Sequence, residues 1–289
     1  MNGFRDSAVL DRLETSSKRA PEYDSETEHA SCDVQSYGLS DIGRVRSANE
    51  DRFLIAELRT DGGPVHVFAV ADGMGGHAGG QRASALALET LDTLLHESLK
   101  SLGCMNGARK EEMLSALKTG IEAADARVCS EGRHHPELHA MGSTLTLACL
   151  CGDELLIAHV GDSRCYLCRD GALHQLTSDQ TMAQELLRAG VIQPAEAARH
   201  PWRHVITNAV GGMERGVNPE LRHVRVRPGD AVVLCSDGLT GMLPDEEILA
   251  ELRAADSLRT VCERLVSRAN EQGGRDNITV VVARLEARN

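Results

Sequence analysis

Four aspartates lie where a short apolar run meets a small residue or an amide. Asp72 closes Val67-Phe68-Ala69-Val70-Ala71 and precedes Gly73. Asp162 sits in His159-Val160-Gly161-Asp162-Ser163-Arg164, and Asp237 follows Val232-Val233-Leu234-Cys235-Ser236. Asp276 lies in Gly273-Gly274-Arg275-Asp276-Asn277. A carboxylate at the end of a buried strand does not hold its charge without a partner, and several such ends in one sheet would concentrate negative charge in one cleft. A fold carrying this pattern therefore needs cations there. Carboxylate and carbonyl oxygens suit the hard ions Mg²⁺ and Mn²⁺ better than zinc, so the expected chemistry is metal-assisted displacement at phosphorus.

The 289 residues suffice for one large domain with a sizeable core, and a 42% hydrophobic content excludes wholesale disorder. A net charge of -12 argues against nucleic acid or an anionic membrane as a general partner. No apolar run approaches the roughly 20 residues that span a bilayer, and Met1-Asn2-Gly3-Phe4-Arg5-Asp6 lacks a signal-peptide core, so the expectation is a cytoplasmic protein. Nine cysteines, an odd number spread over a long chain, suit reduced thiols. Cys165 and Cys168 form a C-x-x-C with no second pair or nearby histidine at zinc spacing, which reads as structural.

Residues 1–33 are polar, acidic toward their end and without sustained period, and are read as a disordered leader. Short strands follow at 34–39, 52–58 and 65–71, then two long helices at about 77–100 and 108–131. Strands resume at 143–151, 154–159 and 165–169, with Gly152-Asp153 and Asp170-Gly171 as hairpin turns. A polar stretch from Ser178 to about His204 interrupts the pattern. Beyond it come strands at 221–227 and 231–236, helices near 245–253 and 257–271, and a last strand at 277–285. Strands grouped together and helices grouped in pairs predict an α+β fold, two antiparallel sheets face to face with helix pairs outside.

An ordered set of strings carries a resemblance. They are Gly43-Arg44-Val45-Arg46-Ser47-Ala48-Asn49-Glu50-Asp51, Val70-Ala71-Asp72-Gly73-Met74-Gly75-Gly76-His77, Gly142-Ser143-Thr144 and Gly161-Asp162-Ser163-Arg164. They continue with Leu176-Thr177-Ser178-Asp179, Glu196-Ala197 with His200-Pro201, Ser236-Asp237-Gly238-Leu239 and Gly274-Arg275-Asp276-Asn277-Ile278-Thr279. In order and spacing this resembles the metal-dependent serine/threonine protein phosphatases of type 2C, the bacterial branch in particular, over about residues 35–285.

That resemblance implies an α-β-β-α sandwich, a catalytic domain at 34–287, and a centre of two, with room for three, Mn²⁺ or Mg²⁺ ions. By analogy Asp72 bridges two ions, the Gly73 carbonyl ligates one, and Asp237 with Asp276 completes the other. Glu50 and Asp51 hold waters on the metals, and Asp162 helps bind a third ion. Glycine at 73 also has its own reason, since a backbone oxygen approaches an ion closely only where no side chain crowds it. Arg46 is the residue that grips the phosphate with its planar fork of donors, and a metal-bridging water is the nucleophile. The chain has Met74 where the eukaryotic pattern has a histidine, so the proton for the leaving oxygen falls to His77 or to a water on the metal. Residues 179–209 resemble a flap that influences substrate choice. Gln180-Thr181 and His204 stand there where relatives commonly carry His-Ser and Asn. Phosphorylated proteins, a serine/threonine kinase and its substrates are the implied partners, with a monomer as the implied state.

Three other readings compete. Gly73-Met74-Gly75-Gly76-His77-Ala78 fits a dinucleotide-binding turn with Asp92 about 20 residues beyond Asp72, but a second helix follows where a strand should return. Cys262 and Arg268 have the nominal spacing of a cysteine phosphatase, yet lie in a helical pattern without cradle glycines. A non-catalytic relative that binds phosphoproteins would be favoured by loss of a metal aspartate, and none is lost.

Overall fold

The computed structural model describes residues 32–76, 78–100, 106–197, 199–212, 216–255 and 257–287. Strands β1 (Cys32–Asp41), β2 (Asp51–Thr60) and β3 (Gly63–Met74) come first, then helices α1 (Ala78–Leu99) and α2 (Gly107–His134). Next are β4 (Gly142–Ser143), β5 (Leu145–Cys151), β6 (Glu154–Val160), β7 (Arg164–Arg169) and β8 (Ala172–Gln175). An excursion carries α3 (Met182–Arg188), α4 (Pro194–Ala197) and β9 (Val210–Gly211). The chain closes with β10 (Glu220–Arg225), β11 (Ala231–Cys235), α5 (Asp237–Thr240), α6 (Asp245–Ala254), α7 (Leu258–Glu271) and β12 (Ile278–Ala287).

One sheet runs β1-β12-β11-β7-β8. The other runs β10-β6-β5-β3, with β2 on the far side of β3 and the short β4 and β9 extending from the end of β3. Each paired strand is antiparallel to its neighbour. That pattern removes the βαβ unit on which the dinucleotide-binding reading depended.

Side-chain alternation explains the layering. On β3, Val65, Val67, Ala69 and Ala71 join the cluster under α1 and α2, while Phe68 and Val70 face the opposite sheet. On β12, Val280 and Val282 pack beneath α7, while Val281, Ala283 and Leu285 fill the space between sheets. The period-two pattern with both faces buried forces helices onto both outer surfaces. Helix α1 supplies Ala83, Ala87, Leu91 and Leu95 at four-residue spacing, and α2 supplies Met113, Leu117, Ile121, Ala124 and Val128. The Asn106 side chain accepts from the Arg109 N–H and so caps α2. The result is the α-β-β-α sandwich expected from the sequence.

Three elements go beyond that expectation. β8 completes a hairpin with β7, β9 is two residues long, and Asp237 opens the short helix α5 rather than merely ending a strand. Each is too short for a periodic pattern to register. β1 also begins at Cys32, because Cys32 and Asp33 pair with Ala287 and Glu286; the rest of the proposed leader lies outside the described residues.

Among the described residues Cys129, Cys149, Cys165, Cys168, Cys235 and Cys262 are free thiols, and burial pushes those of Cys235 and Cys262 up to about 12. Cys165 enters the inter-sheet cluster and Cys168 packs toward the outer one, as residues three apart on a strand must. Among the described residues no helix is long and apolar enough to cross a membrane. Phe68 is 1% exposed between the sheets. Phe68→Ala should therefore lower unfolding free energy by about 3–5 kcal/mol in urea denaturation.

Candidate metal centre

The two sheets end together at one edge of the sandwich, and their carboxylates meet there. Antiparallel register places Asp51 of β2 directly across from Asp72 of β3. The other sheet contributes Asp237 after β11 and Asp276 before β12, and the turn between β6 and β7 contributes Asp162. A cleft of about 510 Å³ is lined by Asp72, Gly73, Asp162, Asp237 and Asp276, with Glu50 and Arg46 at its margin. Asp51 lies beneath it, 1% exposed.

Hydrogen bonds hold this arrangement at each strand end. The Asp72 backbone N–H donates to Thr144 Oγ1 (3.0 Å), the Thr144 N–H returns to the Asp72 carbonyl (2.8 Å), and the Ser143 hydroxyl donates to that same carbonyl (3.0 Å). Ser236 Oγ donates to Asp51 Oδ2 (2.7 Å) and accepts from the Thr279 N–H (3.0 Å), tying β2 to both strands of the facing sheet. Asn277 fastens the loop that carries Arg46: its Nδ2 donates to the Ile42 and Ala48 carbonyls (2.9 Å each), and its Oδ1 accepts from the Glu50 N–H (2.8 Å). Two glycines are needed for close approach. A Cβ at Gly73 would collide with the Gly80 carbonyl, and one at Gly238 with the Asn277 carbonyl.

Clustered carboxylates leave an electrostatic signature. Burial, followed by the neighbouring charges of Asp51, Asp237, Asp162 and Asp276, raises the Asp72 carboxyl well above its ordinary range. Burial and then Asp237 and Asp179 do the same for Asp162. Asp51 is raised from 3.8 to about 6 by burial, against hydrogen bonds from Thr279 and Ser236, with Asp237 and Asp276 adding to the rise. Two nitrogen-bearing side chains reach in: Arg46 donates to Asp276 Oδ2 at 2.6 Å, and His204 Nδ1 lies 3.7 Å from Asp237 Oδ2.

The donor chemistry fits hard divalent cations. Asp51 Oδ1 is buried without a hydrogen-bond partner, the kind of orphan that a water on a cation satisfies. Among the described residues, no three His, Cys, Asp or Glu side chains are already drawn together tightly enough to hold an ion unaided. Like-charged oxygens separate, and Arg46 and His204 compete for two of them. Drawing the set together would mean exchanging those partners for a cation.

His77 lies outside the described residues. Arg203, His204 and Ile206 line the cleft from the excursion, a placement no local motif reveals. Asn277 could have been found, since a polar residue between Asp276 and a buried strand needs a structural role. The rival nucleophile is excluded: Cys262 is buried inside α7, and Arg268 is bound by Glu247 (2.6 Å) and Glu251 (2.7 Å).

A carboxylate-lined cleft at one end of a double-sheet sandwich defines a protein built to bind hard divalent cations. The chain belongs to the protein phosphatase 2C family, whose model matches residues 43–282. The serine/threonine protein phosphatase PstP of Mycobacterium tuberculosis is 38% identical over 244 residues, 84% of this chain and 43% of that protein. The chain thus spans less than half the length of that relative. The serine/threonine phosphatase stp of Listeria monocytogenes is 35% identical over 243 residues, 84% of this chain and 92% of that one. The crystal structure of the PstP catalytic domain in complex with two manganese ions superposes with a TM-score of 0.70 at 37% identity, covering 88% of this chain and 98% of that one.

Asp51 binds its proton more tightly in the folded state, about 6, than at its ordinary 3.8, so between those values folding takes up protons. The upward shifts of Asp72 and Asp162 act in the same direction. Stability of the chelated protein contributed by these groups should therefore fall as pH rises from about 4 through about 6, and Mn²⁺ should restore it above that window. Thermal melts against pH check this: Asp51→Asn should flatten the decline, and an identical profile for that variant would refute it.

Proposed function

We propose that this chain is a metal-dependent protein phosphatase that hydrolyses phosphoserine and phosphothreonine, with its catalytic domain at 34–287 and a flap at 179–209. The observation that carries the reading is the pair Asp51 and Asp72, opposed across one sheet and met by Asp237 and Asp276 from the other. Asp72, the Gly73 carbonyl, Asp237 and Asp276 would hold Mn²⁺ or Mg²⁺, Glu50 and Asp51 would support that site from behind, and Asp162 would contribute to a third. When bound, the ions supply an acidified water for in-line attack at phosphorus and offset the charge on the phosphate.

The remaining work falls to side chains of this chain. Arg46 is 54% exposed at the mouth of the cleft and reaches Asp276 with one nitrogen. It exchanges that carboxylate for two phosphate oxygens, orienting the phosphoryl group. His77 provides the proton that the serine or threonine oxygen takes as it leaves. A shallow cleft that grips phosphate leaves the protein around the phosphorylated residue outside, which suits exposed loops of phosphoproteins as substrates. A serine/threonine kinase and its targets are the natural partners, with the chain acting as a cytoplasmic monomer.

Hydrolysis of a phosphothreonine peptide, measured after chelation and with Mn²⁺ or Mg²⁺ added back, tests the reading. Activity should need metal, and Asp237→Asn should lower kcat/KM by roughly two orders of magnitude or more. Arg46→Ala should act mainly through KM, and Cys262→Ser should leave turnover in place. No metal-restored turnover on any phosphopeptide would favour a phosphoprotein-binding role instead.

A further inference from the structure

The excursion between β8 and β10 leaves the body and returns to it, and one side chain touches both stems. The Gln180 N–H donates to the Gly161 carbonyl (2.7 Å), and the Gln180 carbonyl accepts from the Thr207 N–H (2.8 Å). Its side-chain Oε1 accepts twice, from the Gly161 N–H (2.9 Å) and from Asn208 Nδ2 (2.8 Å). Both neighbours are donors, so the oxygen must face them; an amide turned the other way would set donor against donor. Gly161 immediately precedes Asp162. Residues 207 and 208 end the stretch that brings Arg203, His204 and Ile206 to the cleft.

From this geometry we infer that Gln180 is a positioning residue that pins both stems of the excursion to the turn carrying Asp162, and so sets the cleft wall met by substrate beyond its phosphate. The inference rests on the phosphatase reading and adds a residue to it. The incoming stem is also tied to the body by Arg164, whose fork holds Asp179 at 2.7 and 2.8 Å, and by the Ser178 N–H to Glu220 (3.0 Å), whereas the contacts between the two stems are sparse. Thr181 and Ile206 form a single bridge, and Asn208 makes a second pair of bonds with the Asn218 backbone (2.7 and 3.2 Å). A leucine at 180 keeps the two backbone bonds but leaves the Gly161 N–H and one Asn208 N–H without an acceptor. Glutamate keeps that acceptor oxygen but gives up the long bond that Gln180 Nε2 donates to the His159 carbonyl (3.5 Å). Since Gln180 does not line the cleft, a small aryl phosphate handled by the metals and Arg46 should not sense the change, whereas a peptide lying against Arg203 and His204 should.

The experiment compares full-length wild type, Gln180→Leu and Gln180→Glu with Mn²⁺, using a phosphothreonine peptide and p-nitrophenyl phosphate. In parallel, limited trypsin digestion reports on Arg188, Arg199 and Arg203 in the excursion. For Gln180→Leu the peptide KM should rise about tenfold, while kcat and both constants for the small ester stay within about twofold. Tryptic cleavage in the excursion should accelerate, and Gln180→Glu, which keeps the acceptor for Gly161 and Asn208 but loses the bond to His159, should fall between wild type and Gln180→Leu in both assays. Unchanged peptide KM with unchanged cleavage overturns the inference, as does an equal loss on both substrates with a lowered Tm. If the wild type hydrolyses nothing, the phosphatase reading fails, and cleavage of the excursion alone decides whether Gln180 pins it.

Discussion

Two carboxylates face each other across the antiparallel strands β2 and β3, and two more approach from the opposing sheet. Like charges placed directly opposite destabilise a strand pair, and here Asp51 is 1% exposed while Asp72 opens onto the cleft. The strain is expressed as proton affinity, with Asp51 held at about 6 and Asp72 higher than its usual range. The rest of the edge is organised around this conflict. Gly73 and Gly238 lack side chains where backbone must pass close, Ser236 spans the sheets, and Thr144 holds the Asp72 backbone from both sides.

The supporting framework is as specific as the carboxylates. Asn277 alone makes three bonds to the loop that presents Arg46 and Glu50. A charged group that must both pair with Asp276 and reach a substrate needs such a fixed base, because a mobile loop would surrender the gain in lost entropy. The excursion is held differently. Its stems meet the body through backbone bonds, amide side chains and the Arg164–Asp179 pair, and its far end is anchored by Val210 in the core under α2.

The sheets were legible in the sequence because Val65–Ala71, Leu145–Cys151 and Ile278–Leu285 combine high apolar content with turn residues at both ends. The two long helices were legible for the same reason at a different period. What stayed hidden was short or cooperative. β9 has two residues, and α5 starts on the very aspartate that a strand-end pattern assigns to a turn. Asp72, Asp162, Asp237 and Asp276 could be picked out together because each interrupts an apolar strand end. His204 was legible only through the resemblance of 179–209 to a flap and Arg203 not at all, since an exposed arginine in a polar stretch has no local pattern and the return of the chain past Gln180 brings it to the cleft.

The carboxylates of the edge are divided between the two sheets, with Asp51 and Asp72 on one side, Asp237 and Asp276 on the other, and Asp162 on the turn that crosses between them. A cation shared among them would act as a fastener across the seam between the layers. The interdigitated layer of Ile157, Val232 and Val281, which sets how one sheet sits on the other, would then serve as a calibrating spacer. Residues that never see solvent would tune ion affinity through the thickness and shear of that layer, so the mechanical stiffness of the sandwich is part of the chemistry at its rim.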